Sequence, residues 1–377
     1  MADQGHAAAY TPTLAVTADT VIRRERRLPL AGEVHVRVGD LVDAERLVAS
    51  AALPGRVSAL NVARELNIPP GEIAPRMLKQ EGDSVKQGEP LAEYKSFFGF
   101  FRSQALSPAS GTVETVSSVT GQALIRGAPI PVELDAYVSG EVVEVEPGEA
   151  VIVESRCALI QGILGVGGEA HGEIVMLTDS GDHSARVEML EDDYRGKVLV
   201  CGAHLDEPML ERARELGVAA VVAGAMQASD LDELLGAPLG VAITGQEQLG
   251  ITVVLTEGFG QLAMAAETYA LLRSHQGERA SLNGATQIRA GVLRPEIVMP
   301  LQGSPGIAPQ KPAARLEPGA RVRLVREPYF GALGVVSSLP EQPEQIETEA
   351  LVRVLHARLD DGREVTVPRA NVELIER

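Results

Sequence analysis

GDSVKQGEPLAEYKSFFGFFRSQALSPASGTVETV, residues 82–116, decides how this chain is read. Its first eleven residues align without a gap to an earlier stretch, GDLVDAERLVA at 39–49. The copies share Gly-Asp, a valine (Val42, Val85) and the closing alanine. Each is followed by a Pro/Gly turn and a strand-like run, LPGRVSALNV at 53–62 and SPASGTVETV at 107–116. Gly-Asp suits a tight turn, the valine is expected to face a core, and the Pro/Gly step reverses the chain. Neither copy can bury its apolar face alone, so the two are expected to close on each other as a flattened barrel.

The same stretch holds Phe97, Phe98, Phe100 and Phe101, four of the six phenylalanines in the chain, pivoting on Gly99. They fall between the flanking motifs, at the expected end of the barrel rather than in its core. Two readings stand: an aromatic plug under the loop or against the next domain, or an exposed apolar patch that docks a protein partner or a second copy of the chain.

Working outward, the 377 residues are enough for several domains, each with its own core. Apolar residues make up 45% but aromatics only 3%, and Trp is absent. The cores must then be built from Val, Leu, Ile and Ala. With 38 Gly and 23 Pro, this favours short strands and tight turns. The net charge of −18 marks an acidic protein and opposes broad binding to phosphate backbones. Cys157 and Cys201, the only cysteines, form no disulfide framework, which points to the cytoplasm. No signal-peptide pattern opens the chain and no apolar run approaches a membrane span.

Residues 1–27 read as a polar leader ending in a basic run, VIRRERRLPL at 21–30, whose four Arg in five residues are expected to be solvated. Residues 28–155, with the repeat at their centre, resemble the biotinyl/lipoyl barrel-sandwich hybrid family. Carrier members of that family bear a modified lysine within a short hairpin motif. Here the matching interval is AEYKSFFGFFRSQ, where Lys95 is the lone lysine and stands in no such motif, so no cofactor is expected. Cofactor-free barrel-sandwich domains occur in the soluble subunit of Rnf-type redox complexes and in RNA polymerase.

Residues 156–300 change grammar. GKVLVCGA (196–203), EPMLERARELG (207–217) and VAAVVAGA (218–225) read as strand, helix and parallel strand, with Gly217 as the helix cap. ITVVLTEG (251–258) is a further strand and GQLAMAAETYALLRSHQG (260–277) a further helix. This α/β domain resembles the swivelling type of interaction domain. The Gly-rich GILGVGGEAHGE (162–173) lacks the helix that a dinucleotide fingerprint needs, and reads as a tight hairpin or a strand crossover. His204, Asp206 and Glu207, with His171 and Glu169, are the metal-like residues, but Asp206-Glu207-Pro208 makes an ordinary helix start. No residue is given a catalytic, cofactor or metal role.

Residues 301–317 form a Pro/Gly/Ala-rich linker. Beyond it, residues 318–377 resemble the KOW family of small SH3-like barrels, through Pro318-Gly319, Val322/Leu324, Pro328-Tyr329-Phe330-Gly331 and Gly334-Val335-Val336. The resemblance implies contact with RNA, ribosome, RNA polymerase or protein through Arg321, Arg323, Arg326, Tyr329 and Phe330. The acidic EQPEQIETEA (341–350) works against RNA. The fold class expected is therefore multidomain and mainly β with one α/β domain. The function expected is that of a non-catalytic adaptor or scaffold on a larger assembly, in transcription or translation. The alternative is a soluble subunit of a redox or carboxylation complex.

Overall fold

In the computed structural model of the chain, the two repeat copies share one turn. Gly39 and Gly82 both stand at φ +93°, a region open to glycine and strained for other residues. Asp40 and Asp83 each use Oδ2 to accept a backbone N–H three residues back, from Arg37 at 2.8 Å and Gln80 at 2.7 Å. The Gly39 N–H donates to Val142 O and the Gly82 N–H to Val113 O, both at 2.8 Å. Those valines donate back to Asp40 O and Asp83 O at 2.9 Å. The same reciprocal exchange recurs at Gly88 with Ser107 and at Gly319 with Val336.

The structure describes residues 13–96, 101–235, 249–286, 293–301, 316–324, 329, 332–340, 342–345 and 351–376. The fold is mainly β, in several sheets. The two repeat copies share a turn but not a core. Val42 packs with Val48, Val142 and Val153, whereas Val85 packs with Leu91, Val113 and Ile125. The reason lies in the insertion between them. Its helix Val62–Leu66, N-capped by the Asn61 side chain on Arg64 N, brings in Val62 and Leu66, and Ile73 follows. That apolar volume fills a second core.

The leader expected over 1–27 is instead structured from Thr13 onward. Thr13–Arg27 is a long strand, antiparallel to Ala150–Gln161 from Val16↔Ile160 to Arg27↔Ala150. At its start it runs parallel to Val372–Glu376, through Thr13↔Leu374, Leu14↔Ile375 and Ala15↔Glu376. Nor is its basic run simply solvated. Arg23 pairs with Glu154, Arg24 with Glu296, Arg26 with Glu169, and Arg27 with Glu25 and Glu146. Strand alternation lays these cations against carboxylates on neighbouring elements.

In the central region, Glu169–Met176, Val198–Val200, Ala220–Met226 and Thr252–Phe259 pair in parallel. The helix Glu207–Leu216 joins the second and third. Asp206 caps it by accepting from Met209 N at 3.0 Å, and Gly217 ends it at φ +75°. The helix expected over 260–277 is shorter, Ala266–Ser274, because residues 262–265 precede it as an irregular stretch whose Ala265 N–H donates to Glu257. The C-terminal module is an antiparallel sheet of Arg321–Leu324, Leu333–Ser338, Val354–Leu359, Glu364–Pro368 and Val372–Glu376. Its core holds Val322, Leu324, Val336, Leu355 and Leu374. Gly362, at φ +87°, makes the expected turn after Asp360-Asp361. Of the expected linker, only Leu301, Leu316 and Glu317 lie among the described residues. Among the described residues no helix is long and apolar enough to cross a membrane.

Candidate functional site

The aromatic stretch sits on a hairpin of its own. Pro90–Ser96 pairs with Phe101–Leu106 from Pro90↔Leu106 to Ser96↔Phe101 and, among the described residues, with no other named strand, apart from one isolated bridge from Ala92 to Met77. At its root Leu91, Ala92 and Ala105 are fully buried. Toward the other end the side chains of Lys95 and Arg102 are 64% and 58% exposed. Both cations meet Glu93, Lys95 at 2.9 Å, and Lys95 foremost holds that carboxyl below its ordinary range. Tyr94 lies under the Arg76 guanidinium, 4.7 Å from ring centre to carbon. Phe97, Phe98 and Phe100 fall outside the described residues, as does the side chain of Phe101.

The C-terminal set divides. Arg321 makes a two-pronged contact with Asp360, at 2.8 and 3.1 Å. Tyr329 lies beside the Arg363 guanidinium at 5.8 Å. Arg323 does something the sequence reading did not anticipate. Val322 and Leu324 face the module's own core, so Arg323 leaves by the opposite face and enters the central region. It is 4% exposed, pairs through Nη2 with Glu257 and donates through Nη1 to Thr256 O at 3.1 Å. Its Nε has no acceptor among the described residues. Burial pulls the guanidinium below its ordinary range against the opposing pull of Glu257. In this arrangement Arg323 is a contact between modules and does not face solvent. Arg326 and Phe330 lie outside the described residues.

No family model and no curated protein matches the chain. What the residues can do is therefore read from their geometry.

The metal-like residues do not converge. Among the described residues no three His, Cys, Asp or Glu side chains are placed to hold a metal ion. His204 Nδ1 lies 3.1 Å from Gly260 O, and Asp206 is the helix cap. The Gly-rich stretch forms the strands Leu164–Val166 and Glu169–Met176, as its strand-crossover reading expects.

Another polar group comes together where the N-terminal and central regions meet. Tyr137, 1% exposed and at φ +67°, donates its hydroxyl to Glu296 Oε1 at 3.1 Å. Arg24 grips both oxygens of Glu296, with Nε at 2.8 Å from Oε1. The Arg26 guanidinium stands 5.5 Å from the Tyr137 ring centre and binds Glu169 twice, at 2.5 and 2.7 Å. His171 adds an edge, 6.0 Å from Tyr137 between ring centres and 3.1 Å from Ser281 Oγ. Sequence reasoning missed this cluster; the available signal was that Arg24 and Arg26, two residues apart, share one face if RRERR is a strand. Each charged member has a partner and Tyr137 is sealed from water, so the group serves as a brace.

Proposed function

We propose that this chain is a non-catalytic adaptor that docks on a larger cytoplasmic assembly. In this reading residues 28–155 are a barrel-sandwich unit, 156–300 an α/β interaction domain and 318–377 a KOW-type SH3-like barrel. The observation that carries the proposal is the hairpin Pro90–Ser96/Phe101–Leu106. Its root is anchored in a core while exposure rises toward the end that carries SFFGFF. An aromatic-rich segment joining two anchored strands is suited by its composition to fill a pocket on a partner. The polar clusters described above are spent on contacts between regions, which fits a scaffold better than a site of chemistry.

The test compares intact protein with a variant in which Phe97, Phe98, Phe100 and Phe101 are all Ser, measuring solution mass and capture from native cytoplasm with and without nuclease. The variant is expected to lose the oligomer or the captured assembly while keeping its unfolding transition. Identical mass and identical capture would overturn the docking role. The alternative of a carrier subunit draws on the exposed Lys95 beside the hairpin end. An intact mass showing biotin or a lipoyl group on Lys95 would establish it.

A further inference from the structure

The C-terminal module has one sheet edge that the chain covers with its own first strand. Val372–Glu376 pairs on one side with Arg321–Leu324 and on the other with Thr13–Ala15, through three residue pairs. The rest of the Thr13–Arg27 strand belongs to Ala150–Gln161. Already at Ala15 the backbone N–H donates to Gln161 Oε1, at 3.2 Å. Among the described residues the cover is thus a short overhang of a strand anchored elsewhere.

Arg323 lies one strand in from that edge, opposite Glu373, or about 5 Å from the last strand. Its side chain leaves the module and, among the described residues, pairs with Glu257. The fit is incomplete. Nε lacks an acceptor among the described residues, and Arg294 is near enough for the two like charges to act on each other. An unsatisfied N–H and a repelling neighbour weaken a contact that already bears the cost of desolvating an arginine.

We propose that this edge is a strand-docking site held shut by the chain itself, with Thr13–Ala15 and Glu257 occupying the places of an extended acidic segment from a partner protein. The covering pieces define that chemistry: a strand for the edge and a carboxylate for Arg323. A strand edge is continued by another peptide backbone and not by a sugar-phosphate chain, which favours a protein segment over a nucleic acid in the same place. The inference rests on the adaptor reading and gives its C-terminal module a ligand class.

The experiment uses the full chain and the isosteric Glu257→Gln, which leaves a buried guanidinium without its counter-charge. Amide exchange at Leu14, Ala15 and Leu374 is expected to accelerate by about tenfold or more, while Val198–Val200 and Ala220–Val222 keep their protection. A fluorescein-labelled octapeptide of alternating Glu and Val should bind this variant about tenfold more tightly than the parent, and its Lys/Val counterpart should not. The double variant Glu257→Leu with Arg323→Met replaces the ion pair by an apolar contact. It should stay shut and ignore the peptide. Unchanged exchange in Glu257→Gln would overturn the proposal, because the pair would then not hold the edge. Accelerated exchange throughout the central strands would overturn it too, making the pair a support of the core. Tighter binding of a uridine oligonucleotide than of the acidic peptide would assign the edge to RNA instead. The adaptor reading fails separately, on the phenylalanine variant.

Discussion

Tyr137 and Glu296 are joined by a 3.1 Å hydrogen bond although the tyrosine backbone stands at φ +67°. A bulky residue is costly in that region, so its surroundings must hold it there. Burial and the Glu296 bond push the phenol well above its ordinary range, and it stays a donor at any physiological pH. Tyr137→Phe is expected to lose about 1 kcal/mol in urea unfolding, since Glu296 keeps Arg24. Tyr137→Gly should be more stable than Tyr137→Ala by about 1 kcal/mol, because only glycine is at ease at this backbone. Equal stability of those two variants would show that the conformation stores no strain.

Gly39 and Gly82 have the same φ and no neighbour within 4 Å of an added Cβ. Gly39→Ala and Gly82→Ala should therefore cost the same, about 1 kcal/mol each, as a purely conformational penalty. Gly55 is the contrast. A Cβ there would stand 2.0 Å from Gly127 O, so Gly55→Ala must displace backbone and should lower the unfolding midpoint much further.

Cys157 and Cys201 are fully buried, and burial pushes both thiols up to about 12. The thiolate is the reactive form. Folded protein at pH 8 is expected to give no reaction with a disulfide reagent over minutes, and two thiols per chain in denaturant. Rapid labelling of either in the native state would reveal local opening of its strand.

His171 is held below the ordinary imidazole value of 6.5, chiefly by burial, against the opposing pull of Glu45, Glu169 and Asp135 and with that of Arg279. The folded state therefore takes up its proton later than the unfolded state as pH falls. Its contribution is whole above pH 6.5 and declines as pH drops below that value toward the folded one. His171→Gln should flatten the stability profile in that window and leave it unchanged at pH 8.

Local signals were the legible ones. Gly-Asp placed both turns, Gly217 placed a helix end, and the alternation of Val322 and Leu324 placed a core face. What escaped was long-range pairing. Nothing near Arg323 announces Glu257, which lies 66 residues away, and nothing near Thr13 announces Leu374. The basic run showed its charge but not its carboxylates, because Glu154, Glu169 and Glu296 are gathered by the fold rather than by spacing. Tyr137 gave no sign either, since its unusual backbone follows from the brace it closes.

The first strand also bears on how the protein is made. Residues 13–15 leave the ribosome long before the strand they pair with, 372–376. Arg24 likewise waits for Glu296. Until then this segment offers unpaired backbone and unneutralised arginines, and the loop that must close runs from residue 16 to residue 371. The seam between these two strands thus closes late, and any early partner of the first competes with the protein's own folding.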